Sequence, residues 1–105
     1  MSAVNVFPNP YYASNTREQN KYQRFVTINH LPARASFKIY TLSGVLVRSF
    51  EKNDASQYAT WNLLNDNGLP IASGLYYIHI EMPDLGLEKT LRLAVVTETQ
   101  FLDRI

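Results

Sequence analysis

Residues 62–80 read NLLNDNGLPIASGLYYIHI, with turn formers crowded into the first half and strand formers into the second. Asn65-Asp66-Asn67-Gly68 has the chemistry of a tight turn, because Asn and Asp side chains bond their own backbone two residues on and Gly supplies positive φ. Pro70 and Gly74 shape a return. From Gly74 the chain alternates, with Tyr76, Ile78 and Ile80 on one face, the period of a half-buried strand. A tyrosine at the start of such a strand fits a tyrosine corner, whose hydroxyl bonds backbone a few residues upstream and fixes the passage between two sheets. The density of turn formers is then a matter of topology rather than of an active-site loop.

Outward from this stretch the same alternation recurs. VNVF (4–7) is a first short strand, stopped by Pro8-Asn9-Pro10, and residues 11–23 are polar and aperiodic and read as a long loop. RFVTIN (24–29), SFKIYT (36–41), VLVRSF (45–50), YATWNL (58–63), GLYYIHIEM (74–82) and EKTLRLAVV (88–96) are the remaining strands. Leu42-Ser43-Gly44 is a hairpin turn, residues 51–57 a polar loop, and Pro83 to Gly86 a further turn. No window sustains helical spacing. No proline interrupts a strand, as ladder bonding requires. Seven short strands separated by turns predict an all-β, Ig-like antiparallel sandwich forming a single domain over residues 1–105. The expected core is Val26, Ile28, Phe37, Ile39, Val47, Trp61, Tyr76, Ile78, Ile80, Leu91 and Leu93.

The totals narrow the function. The chain has 105 residues, 46% hydrophobic and 18% charged, with a net charge of +1 from ten basic and nine acidic side chains. This balance gives no electrostatic case for nucleic acid or an anionic surface. There are no cysteines, so disulfides and thiolate metal sites are excluded. No apolar stretch approaches the roughly 20 residues of a helical membrane span, and no membrane insertion is expected. MSAVNVFPNP lacks a basic segment followed by an apolar one; an export leader is expected elsewhere in a longer protein.

Chemical constellations are sparse. His30 and His79 are the only histidines, and a metal site needs three or four converging ligands, so no metal is expected. Asp66-Asn67-Gly68, with help from Asp54, is an alternative calcium loop, but it lacks the spaced carboxylates and closing Glu, and the turn reading is preferred. There is no nucleophile elbow, phosphate loop or dinucleotide fingerprint. The chain is therefore expected to be a non-enzyme, with no catalytic residue and no cofactor. Tyr11, Tyr12, Tyr22, Tyr58 and Tyr77 are expected on loops or outward faces, covering sheet edges, with a glycan- or protein-binding patch as the alternative. Lys38 raises the question of an intramolecular isopeptide to a facing Asn or Asp, and none is expected.

Taken in order, PNP, INHLP, FKIYTLSGVLVRSF, WNLLNDNGLPIASGLYYIHI and KTLRLAVV resemble the C-terminal Ig-like sorting domain of proteins exported by the type IX secretion system of Bacteroidetes. They are also similar to the Ig-like domain of the flagellar hook-capping protein. The resemblance covers Val6 to about Val96. It implies the C-terminal module of a larger secreted or cell-surface protein, exported through the periplasm and recognised by the type IX machinery, and monomeric as a domain. The family's motif positions map to Pro8, Asn9 and Pro10, to Gly74 and Tyr76, and to the last strand, whose Lys89, Leu91, Leu93 and Val95 form the expected recognition strand, read by β-augmentation. Trp61 and Gly68 are the accompanying structural positions. Family members end at or just after that strand, whereas TETQFLDRI (97–105) continues here. An accessory module that spaces, stabilises or binds carbohydrate for a neighbouring catalytic domain is the alternative.

Overall fold

The computed structural model describes residues 4–13 and 25–97. Its strands are β1 (Asn5–Phe7), β2 (Tyr11–Ala13), β3 (Val26–Asn29), β4 (Arg34–Thr41), β5 (Leu46–Asn53), β6 (Ala59–Trp61), β7 (Gly74–Met82) and β8 (Leu87–Thr97). They form two sheets, a small one in the order β1-β3-β6 and a large one in the order β2-β8-β7-β4-β5. The two faces that meet bury one continuous core, in which Val26, Ile28, Phe37, Ile39, Trp61, Ile78, Ile80 and Leu93 are almost wholly shielded. The all-β sandwich expected from the alternation is the observed fold.

The expected core holds except at Val47, which is only partly buried. Val47 is the extra residue at a β-bulge, where Ile39 pairs with Arg48 and Tyr40 with Leu46, on the strand at the edge of the large sheet. The inward positions of β5 are accordingly mixed. Phe50 stacks on Phe37 with ring centroids 4.7 Å apart. Arg48 reaches the Leu64 carbonyl at 3.1 Å and lies 5.8 Å from the Phe50 ring centre. Lys52 is buried, and its ammonium donates to the Pro32, Ala33 and Asp54 carbonyls at 2.8, 3.2 and 3.1 Å. Long cationic side chains suit this position because their stems cover apolar surface while their heads satisfy loop carbonyls.

Several strand limits differ from expectation by a residue or two, and three of the departures have a local reason. The polar segment from Glu51 begins inside β5, because Lys52 and Asn53 pair across to Ala35 and Arg34. β6 stops at Trp61 instead of Leu63, since the Asn62 carboxamide accepts from the Leu64 amide and Leu63 takes φ +64°. Tyr11 to Ala13, expected within a loop, form β2, which pairs in parallel with the end of β8. Tyr11 is consequently buried rather than on the surface. The β4–β5 hairpin closes as expected, with Gly44 at φ +96° and its amide bonded to the Thr41 carbonyl at 2.9 Å. A short 3-10 turn, Pro83–Leu85, joins β7 to β8. Arg34 holds it with a two-pronged bond to Asp84 at 2.9 and 3.0 Å, and this contact raises the arginine pKa and lowers that of the carboxyl.

Candidate functional site

Three groups of positions singled out by the sequence fall at distinct places. At the N-terminal crossover, Pro8-Asn9-Pro10 carries the chain from the small sheet (β1) to the large one (β2). The Asn9 side-chain amide donates to the Arg92 carbonyl at 2.7 Å, and its oxygen accepts from the Ala94 amide at 3.2 Å. In a parallel ladder a residue opposite position j donates to the carbonyl of j−1 and accepts from the amide of j+1. Asn9 therefore occupies, with its side chain, the place of a strand residue opposite Leu93, one step before Tyr11 pairs with Val95. The flanking prolines have no N–H to offer, and the carboxamide supplies the missing pair.

At the passage between sheets, the Tyr76 hydroxyl donates to the Ala72 carbonyl at 2.6 Å, the bond expected of a tyrosine corner. Burial pushes the phenol above its ordinary pKa of 10. Trp61 meets Tyr76 edge to face, with ring centres 6.4 Å apart, and donates its indole N–H to the Leu64 carbonyl at 2.9 Å. Gly68 has φ +82° and donates to the Asn65 carbonyl, while Asn65 Oδ1 accepts from the Asn67 and Leu69 amides. Asp66 accepts from the Ser49 amide and lies 3.6 Å from Arg48, whereas Asp54 contacts Lys52 and Ser56. The two carboxylates of the calcium alternative thus have separate partners. Gly74 opens β7 with φ +155°. A shallow cleft of about 380 Å³ lies between the start of β5 and this turn region, lined by Val45, Asp66, Pro70 and Tyr76 among others.

The third group is the last strand. Leu91, Leu93 and Val95 point into the core, so their side chains are structural and unavailable for direct reading. What β8 offers is backbone. Because Arg92 and Ala94 bond away from β7, towards Asn9, the alternation of a strand sets the N–H and C=O of Glu88 and Thr90 on that same side. β2 covers only Val95 to Thr97. Among the described residues no strand pairs with the outer side of β8 at Glu88 and Thr90, an edge shorter than the full strand expected from sequence.

Tyr12 and Tyr58 are exposed, Tyr77 is partly buried, and Tyr22 lies outside the described residues. Tyr12 is on the large sheet beside β8, whereas Tyr58 precedes β6 of the small one. Lys38 faces Ser49 and His79 across the ladder, not an Asn or Asp. His79, expected on the outward face and unremarkable, gathers Glu81 and Glu88 around its Nε2, and these three could hold a metal ion. Sequence carried half of that signal in the spacing of His79 and Glu81; Glu88 joined only through the hairpin register. Thr90 Oγ1 lies 3.1 Å from His79 Nδ1, superficially a hydroxyl–imidazole–carboxylate series. Strand N–H groups lie within the sheet plane and provide no converging pair for an oxyanion there.

No family model and no curated protein matches the chain significantly. Among solved structures it is similar to PorZ of Porphyromonas gingivalis, an essential bacterial surface component of the type IX secretion system. The TM-score is 0.67 and the identity 29%, over 90% of this chain. It also shares its fold with latent, dimeric PorU from the same organism, with TM-score 0.58 and 21% identity over 90% of this chain. The chain spans 12% of the PorZ chain and 9% of the PorU chain.

Proposed function

We propose that this chain, which resembles the C-terminal domains of type IX secretion both in its ordered motifs and in its likeness to PorZ, is a non-catalytic sorting or anchoring module of a larger protein exported across the outer membrane. The observation that carries the reading is the PorZ likeness, which combines fold with 29% identity over 90% of the chain. The module is placed at the cell surface or in the medium after passage through the periplasm, with the secretion machinery as its partner. Recognition runs through the open backbone edge at Glu88 and Thr90, where an incoming strand adds to the large sheet and gains main-chain hydrogen bonds.

Deleting the last strand would not test this, since Leu91, Leu93 and Val95 are core residues. A proline at Glu88 or Thr90 removes one outward N–H and leaves the bonds to β7, the one setting in which a strand tolerates proline. Residues 4–105 are fused behind a periplasm-targeted fluorescent reporter, in a bacterium with a working type IX system and in its secretion-deficient mutant. The expected result is reporter outside the cell only with the working system, and its loss in E88P and T90P variants that fold. Export undiminished by both prolines would overturn the edge mechanism while leaving the sorting role. A folded domain that leaves the reporter in the periplasm of both strains makes it an accessory module instead.

A further inference from the structure

The outer face of the large sheet carries a second feature, independent of the proposed sorting role. In the β7–β8 hairpin, His79 pairs with Thr90 and Glu81 with Glu88. Two carboxylates thus sit directly opposite each other on one ladder, an arrangement that is destabilising by itself. Between them lies His79 Nε2, 3.7 Å from Glu81 Oε2 and 3.4 Å from Glu88 Oε1. All three ligand atoms fall within 4.8 Å of one another. On the other side of the ring, Nδ1 is 3.1 Å from Thr90 Oγ1.

The geometry points to a divalent transition-metal site, best suited to zinc, formed by His79 Nε2, Glu81 and Glu88, with the remaining coordination position open to solvent. Metal–ligand bonds of about 2.0–2.2 Å in a tetrahedral site place ligand atoms roughly 3.3–3.6 Å apart, within a small adjustment of the 3.4 and 3.7 Å from His79 to the two carboxylates. The Thr90 hydroxyl holds the second ring nitrogen, the outer contact by which metal-binding histidines are oriented. One imidazole and two carboxylates favour zinc over calcium, which prefers an all-oxygen shell. Two carboxylates match the charge of a divalent ion. Lys38 faces His79 from β4 and Ser36 faces Glu81, so the lysine opposes a bound cation and limits affinity. An ion here would bind both strands of the hairpin whose outer edge is open.

Zinc chloride titrated into the chain, by calorimetry and by displacement of a chromogenic chelator, tests the site. One equivalent is expected to bind. H79Q, E81Q and E88Q should lose the binding, T90V should weaken it by about tenfold, and K38Q should tighten it several-fold. H30Q, altering the other histidine, should change nothing. These side chains lie on an exposed face, and melting curves in chelator establish that each variant folds; the isosteric E81Q and E88Q keep the test intact if H79Q does not. Absence of binding at millimolar zinc overturns the proposal and leaves His79 as a contact between the two glutamates. Binding that survives H79Q or disappears with H30Q overturns it as well, as does calcium binding that ignores His79.

Discussion

The Asn9 carboxamide donates to the Arg92 carbonyl at 2.7 Å across 83 residues of sequence, standing in for backbone between two prolines. The contact fixes where the first segment leaves the small sheet and where β2 joins β8. Replacing Asn9 with Ala removes two hydrogen bonds at a partly solvated site, so a loss of about 1 kcal/mol is expected in chemical denaturation. Hydrogen exchange at the Ala94 amide should accelerate at least severalfold. N9D keeps the acceptor but sets a carboxylate oxygen against the Arg92 carbonyl, and should be no better than N9A. An unaltered Ala94 exchange rate in N9A would remove Asn9 from this role.

Much of the sandwich was legible because its strands alternate cleanly. Val26 and Ile28, Phe37 and Ile39, and Tyr76, Ile78 and Ile80 all face the core as the period of two requires. The tyrosine corner was legible because turn chemistry and alternation met at Gly74. What was not legible depends on partners distant in sequence. Tyr11 to Ala13 are too short to show a period, and they become a strand only because β8 offers its edge. Lys52 looks like a loop lysine until the loops at residues 32–33 and 54 bring three carbonyls to it. The His79 cluster needed the hairpin register that places Glu88 opposite Glu81.

The tyrosine corner gives a pH-dependent prediction. Burial raises the Tyr76 pKa, and an unfolded tyrosine ionises at about 10. The folded state then holds the proton more tightly, so this contribution to stability is fully present below about pH 10 and is lost as pH rises through the folded value. Y76F removes the hydroxyl and its bond to Ala72, for an expected loss of about 1 kcal/mol at neutral pH. The other tyrosines are common to both proteins and cancel in the difference. The gap between wild type and Y76F should stay level from neutral pH to about 9 and narrow above about 10. Parallel melting curves over that range check it, and a gap that widens with alkali would contradict the assignment.

Lys52 tests how the unpaired edge of the large sheet is closed. Its ammonium bonds three carbonyls and lies 3.0 Å from Asp54 Oδ1. K52M keeps the apolar stem and removes only the donors, so its cost isolates the polar head, at about 2 kcal/mol for bonds to a charged group. Asp54 is held below its ordinary pKa of 3.8, first by the Lys52 bond and then by Ser56. A depressed carboxyl stabilises above its unfolded pKa and loses that contribution as pH falls through the folded value. The difference between wild type and K52M should therefore shrink below about pH 4 without vanishing, because the carbonyl bonds do not titrate. Equal stability of K52M and wild type at pH 7 would show that the edge is closed by packing alone.

Leu63 sets two opposed effects against each other. It has φ +64° and is nevertheless buried, with its carbonyl accepting from the Ile71 amide at 3.2 Å. The left-handed backbone costs a branched residue roughly 1–2 kcal/mol, which glycine would relieve. Removing a buried leucine side chain costs about 2–5 kcal/mol through lost burial and the cavity left behind, and glycine adds unfolded-chain entropy. Burial should win, so L63G is expected to be net destabilising by about 2 kcal/mol, the difference of those opposing ranges. L63A keeps the strain and loses the side chain, and should be less stable than L63G despite its larger side chain. Urea denaturation of both variants decides the matter: if L63A is the more stable of the two, the left-handed turn after β6 carries no strain worth relieving.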